Sequence, residues 1–248
     1  MKISIISFKK NEERVLFLNE TAIFAANHHQ SNLLVLPGYI PGTREGKKEI
    51  IQKIVDETKI SILAELSGTP KKESNTYYFS PAANPEGPFI QQFESSKTAN
   101  KKLVELVEKL LDEFEQTRVV ETNSKKIGIL LCGENNILQN SHKTNTGPKP
   151  RGTDKSWPFS AYDILVNPSH TIMGQWNLLH ERFSYFSKGQ KTLLYCTNNT
   201  NKSAWKSSLC TYQNSLLVVM GDMKLPADFS IVQRKVENNW RMITIDIP

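Results

Sequence analysis

The chain has 248 residues, 38% of them hydrophobic and 23% charged, with 31 basic against 25 acidic side chains and a net charge of +6. That mixture is ordinary for a globular protein with a sizeable core, and no apolar run approaches the roughly 18 residues of a membrane-spanning helix. The positive charge is scattered among Asn, Ser and Glu instead of forming a basic stripe interleaved with aromatics, which argues against a nucleic-acid partner.

KISIISF (2–8) and NLLVLPG (32–38) are short runs rich in Ile, Leu and Val, and they predict buried strands. Between them lies a polar helical stretch carrying Val15, Leu18, Ile23 and Ala26, which makes a β-α-β opening. The opening MKISIISF lacks the continuous hydrophobic region and small-residue cleavage pattern of a leader, so a cytoplasmic protein is expected. Residues 45–59 place Ile50, Ile51, Ile54 and Val55 on one face of a helix, and KISILAEL (59–66) supplies the next strand.

From Asn75 the pattern changes to two short strands, NTYYFSP and PFIQQF, around the turn-forming ANPEG. The segment 98–116 carries Leu103, Val104, Leu106, Val107, Leu110, Leu111 and Phe114 at helical spacing. KIGILLC then reads as a strand, and 140–158, rich in Gly, Pro and basic residues without an apolar period, reads as a long surface loop. AYDILVNPS (161–169) is expected as a strand ended by Asn-Pro. Residues 171–189 should form a helix burying Trp176, Leu179, Phe183 and Phe186 and stopped by Gly189. QKTLLYCTN, SSLCTYQN, SLLVVMGD, FSIVQRK and WRMITIDI follow as five strands. No linker or repeat divides the chain, so 1–248 is expected to be a single domain of stacked sheets with helices outside.

Three cysteines, Cys132, Cys196 and Cys210, are too few for a disulfide framework, and no paired Cys/His spacing marks a zinc site; no metal or cofactor is expected. Cys196 and Cys210 lie inside strand patterns, as core residues do. Cys132 sits where a strand gives way to a turn, the place in α/β folds where side chains are offered to a pocket. It is either a nucleophile or a small buried core residue.

KIGILLCGENN resembles the nucleophile segment of the nitrilase, or carbon-nitrogen hydrolase, superfamily. NLLVLPG resembles that superfamily's strand ending in Pro-Glu, and NTYYFSPAANPEGPFIQQF its hairpin leading to a lysine. AYDILVNPSHTIMGQWNLLHERFSYFSKGQKTLLYCTNN resembles the segment after the nucleophile, and the motifs keep their order from about Lys2 to Val219. The resemblance implies a four-layer α-β-β-α sandwich, a homodimer, and a Glu-Lys-Cys triad that cleaves a small amide or nitrile. In that triad the thiolate attacks, the glutamate moves protons and the lysine stabilises negative charge.

The chain departs from the pattern. Gly38 stands where the glutamate belongs, and Glu94 and Ser95 fall where the family has Arg-Lys, leaving Lys97 as the nearest lysine. Without a base a cysteine is only a few per cent thiolate at neutral pH, and losing a positioned base removes about 10²- to 10⁴-fold in rate. Glu45, Glu49, His28 and His29 are candidate substitutes. Glu134 and Asn135 are expected to hold the turn after Cys132, and Ser169 and His170 to lie at the pocket rim, with His170 a substrate contact or a base. Two functions follow. One is a catalytically impaired descendant binding a small molecule or a partner protein; the other is an active hydrolase working through Cys132 with a substituted base.

Overall fold

Strands buried on both faces read as continuous apolar runs, and Lys2–Phe8 (β1) does so, with every residue after Lys2 buried. The computed structural model describes residues 1–8, 16–38, 44–66, 75–92, 103–140, 147–171, 176–198, 216–220, 231–237 and 239–248. Beside β1 lie Leu33–Val35 (β2) and, in parallel, Ser61–Leu66 (β3). The hairpin of Asn75–Phe79 (β4) and Glu86–Phe89 (β5) extends this edge. Ile231–Val236 (β13) and Trp240–Asp246 (β14) complete a seven-stranded sheet ordered β13-β14-β1-β2-β3-β4-β5.

Among the described residues the second sheet has five strands. Val119–Thr122 (β6), Lys125–Ile129 (β7), Ile164–Thr171 (β10), Thr192–Asn198 (β11) and Leu216–Met220 (β12) run in the order β12-β11-β10-β7-β6. A small ladder pairs Leu138–Gln139 (β8) with Lys149–Pro150 (β9).

Side chains alternate across a strand, and the alternation sorts them into three cores. Ile3, Ile5, Val35 and Leu63 of the first sheet meet Ile127, Ile129, Val166, Leu194 and Cys196 of the second. On the outer face of the first sheet, Leu34, Ile62 and Ala64 pack under Leu18–Asn27 (α1) and Arg44–Thr58 (α2). On the outer face of the second, Leu165, Leu193 and Tyr195 pack under Leu103–Gln116 (α3) and Trp176–Phe186 (α4). The order is helix, sheet, sheet, helix, the α-β-β-α sandwich expected from the resemblance.

Several local expectations change. Ile50 is 48% exposed and Ile23 39%, because a step of one residue turns about 100° around a helix, away from the buried Ile51 and Ala22. Strand β6, unexpected from sequence, pairs antiparallel with β7 through the turn at Asn123 and Ser124. The surface loop is not uniformly so: Trp157 is buried, its Nε1–H donating to Tyr162 Oη at 2.8 Å. Within the expected strand segment SSLCTYQN, Cys210 and its neighbours lie outside the described residues.

His29 is buried in a chain of short hydrogen bonds, 2.6 Å each, from its Nδ1 to Thr244 Oγ1, on to Ser4 Oγ and then Ser31 Oγ. Burial, then His28, Lys2 and Lys235, lower its pKa. A histidine held neutral in the fold contributes stability above its unfolded value of about 6.5 that is lost as pH falls. The difference in urea midpoint between the protein and a His29→Asn variant should therefore shrink from pH 7.5 to pH 5. A constant difference would show that His29 titrates alike in both states.

Candidate active site

Strands β7 and β10 run side by side, Ile127–Ile129 against Ile164–Val166. Leu130 N–H makes the last rung, to Val166 O at 3.0 Å. The chain then leaves the sheet in a 3-10 turn over Cys132–Ile137, while β10 continues to Thr171 against β11. Alternate residues of a strand turn their N–H groups to the same side, so Val166, Pro168 and His170 face the place that β7 has left. Pro168 has no N–H to lose there, which is how β10 passes through the Asn-Pro expected to end it. His170 N–H finds a sulfur instead, 3.4 Å from Cys132 Sγ.

The ring of His170 reaches across to the other sheet. Its Nε2 lies 2.8 and 2.7 Å from the two oxygens of Glu65, near the end of β3. Both side chains are largely buried, 19% and 6% exposed. Burial pulls the imidazole pKa down, but the charge and side-chain hydrogen bond of Cys132, with Glu65 beyond, raise it to about 10. The ring is thus held as an imidazolium at neutral pH.

Gly38 lies against this pair. Its N–H donates to Ser169 O at 3.0 Å, and Asn198 Nδ2 donates to its carbonyl at 3.3 Å. A Cβ at position 38 would stand 2.1 Å from His170 Cδ2 and 2.7 Å from Glu65 Oε2, closer than atoms can approach. Glycine is there for clearance, and the imidazole and carboxylate occupy the space a longer side chain would take.

The residues after Cys132 hold the turn. Glu134, fully buried, accepts from Leu131 N–H at 2.8 Å and from Gln92 N–H at 2.7 Å, and it pairs with Arg118 at 3.0 Å. Arg118 also binds Glu113 at 2.9 Å and the Ile90 carbonyl. Asn135 Nδ2 closes the turn onto Cys132 O at 2.9 Å. Arg182 of α4 donates to Asn135, Asn136 and Asn140, and burial, then the nearby Arg151, lower its pKa to about 10 without neutralising it at pH 7. Glu134 and Asn135 are both buried, their bonds made to the turn and to the arginines around it.

The other expected site residues are placed unevenly. Ser169 is buried, with Oγ 3.4 Å from Asn167 Oδ1. Lys97 lies outside the described residues; Gln92, the last described residue before it, is pinned to Glu134. Of the substitute bases, His29 is engaged with Thr244, while His28 stacks on Phe24 at 4.8 Å between ring centroids. Glu49 is exposed on α2, and only the backbone of Glu45 is described. Cys196 is buried between the sheets, and burial pushes its thiol pKa up, as suits a core residue. Glu65 was missed. Its one sequence signal is a lone acid inside the apolar run SILAEL, where an unpaired charge would be costly.

A cavity of about 460 Å³ opens beside β5 and α3, lined by Gly87, Phe89, Gln92, Lys109, Glu113 and Arg118. It borders the Glu134 supports and includes none of Cys132, His170 and Glu65. Among the described residues no three His, Cys, Asp or Glu side chains converge as metal ligands.

No sequence-family profile and no curated protein sequence matches the chain. Solved structures do. An amidase from Nesterenkonia sp. superposes with a TM-score of 0.61 at 11% identity, over 100% of this chain and 90% of that chain. A mutant of the Nesterenkonia sp. AN1 amidase, with the acetamide moiety of fluoroacetamide covalently added at its active-site cysteine, gives 0.59 at 11% over 100% and 90%. A carbon-nitrogen hydrolase from Helicobacter pylori G27 gives 0.58 at 11% over 99% and 89%. With motif order, layer order and these superpositions in agreement, the chain has the carbon-nitrogen hydrolase, or nitrilase-like, fold.

Proposed function

We propose that the protein is an active carbon-nitrogen hydrolase that cleaves a small amide through Cys132, with acid–base chemistry supplied from outside position 38. The observation that carries this reading is the buried carboxylate–imidazole pair against the Cys132 sulfur, in the space that Gly38 leaves open. Gly38 alone favours a descendant that binds without turnover. A buried acid and an ionisable ring beside a half-exposed thiol favour turnover, because a binding pocket has no need to bury a charge pair there.

In such a reaction the sulfur attacks the amide carbon, the C–N bond breaks as the amine leaves, and water cleaves the resulting thioester to a carboxylic acid and the free thiol. The family resemblance is what assigns stabilisation of the developing oxyanion to Lys97. Fluoroacetamide tests the reading directly. The intact protein should gain the mass of one acetamide group at Cys132, with Cys132→Ala unlabelled, and acetamide or butyramide should release ammonia. Neither an adduct nor ammonia from short amides would return the protein to the non-catalytic alternative.

A further inference from the structure

Resting on that reading, we infer that His170 is the catalytic acid–base of this site and Glu65 its positioning residue, a Cys-His-Glu arrangement in which the carboxylate reaches the thiol only through an imidazole. Three placements converge on it. His170 N–H fixes the residue at the sulfur, 3.4 Å away. Both oxygens of Glu65 are spent on Nε2. The space from which a side chain at position 38 would act is closed by the ring, 2.1 Å from where a Cβ would stand. Nε2 meets Glu65, so the ring's side-chain hydrogen bond to Cys132 is made through Nδ1. Among the described residues Tyr195 of β11 is also coupled to the sulfur, its phenol kept neutral by burial and then by Cys132.

The proton balance is simple. The proton of the Cys132–His170 pair lies on the ring as sulfur attacks, and the sulfur's electron pair forms the S–C bond. As the C–N bond breaks, the imidazolium gives its proton to the departing amine. The neutral ring then takes a proton from water, the hydroxide adds to the thioester carbon, and the C–S bond breaks to release the acid and restore thiolate and imidazolium. Glu65 holds the ring in one orientation and favours its charged form throughout. A carboxylate working directly on the thiol would have no imidazolium to titrate.

The test uses fluoroacetamide labelling and ammonia release on the full chain. His170→Ala should lose about 10²- to 10⁴-fold in kcat/KM, with partial rescue by added imidazole. Glu65→Gln keeps the shape and a ring contact; it should lose about ten-fold or more and move the alkaline limb of kcat/KM to lower pH, since the ring loses the partner that sustains its charge. A purely structural role for Glu65 would leave that limb unmoved. In the unaltered protein, iodoacetamide should alkylate Cys132 at rates within about two-fold between pH 6.5 and 8.5, where a free thiol would climb about 50-fold. This last measurement needs no variant to fold. A protein that labels and hydrolyses, but shows the free-thiol climb or an unmoved limb in Glu65→Gln, would overturn the inference and leave the hydrolase reading standing. A protein inert to fluoroacetamide and to short amides would overturn both.

Discussion

Replacing Glu134 by glutamine should destabilise the protein by about 3–5 kcal/mol, the usual result of removing one member of a buried ion pair. The carboxylate has no exposure, and its two oxygens take four donors: Leu131 N–H, Gln92 N–H and two guanidinium nitrogens of Arg118. Glutamine offers one acceptor oxygen and presents an amide group to donors. Arg118, itself 1% exposed, would keep only Glu113 and the Ile90 carbonyl. Urea unfolding of the variant reads the loss, and the paired change Arg118→Met with Glu134→Leu should regain more than half of it, because apolar residues of similar volume commonly match a buried ion pair. A loss below about 1 kcal/mol for Glu134→Gln would mean that the turn is held by the asparagines and Arg182 instead.

Gly38→Ala should cost more in rate than in stability. One methyl group inserted 2.1 Å from His170 Cδ2 must push the ring or lift the backbone. Overpacking of that kind costs about 1–3 kcal/mol. The backbone is tied on both sides, by Ser169 O and Asn198 Nδ2, so the ring is the part that yields. Displacing it separates the acid–base group from the sulfur, and a fall of about 10²-fold or more in ammonia release is expected. The pair Gly38→Ala with His170→Ala should be no more active than His170→Ala alone. An alanine at 38 with full turnover would show that the ring has room the packing does not indicate.

Much of the architecture was legible because period and burial speak together. Ile3, Ile5 and Ile6 mark β1 as buried on both faces, and Val107, Leu110, Leu111 and Phe114 recur at the helical step of α3. The site was legible only in part. Cys132 announced itself by standing where a strand ends, and Gly38 by its place after Leu36-Pro37 in a pattern that elsewhere ends in an acid. His170 was visible but ambiguous, since one histidine after a strand says nothing of what its ring meets.

Glu65 was hidden for a physical reason. Its partner lies 105 positions away on the other sheet, and the pairing is created by the face-to-face stacking of β3 and β10, which no local pattern encodes. Pro168 misled in the opposite direction. Proline usually ends a strand, but here it faces the side from which β7 has already turned away, where no rung was due.

The close approach of position 38 to His170 also bears on ancestry. If the two bases exclude one another in space, no single substitution converts one arrangement into the other. A carboxylate introduced at 38 collides with the imidazole and with Glu65, while loss of the imidazole first leaves the thiol without any base. The exchange would have to pass through a crowded or an inactive ancestor, or through two coincident changes, so a lineage that has crossed to one side would tend to stay there.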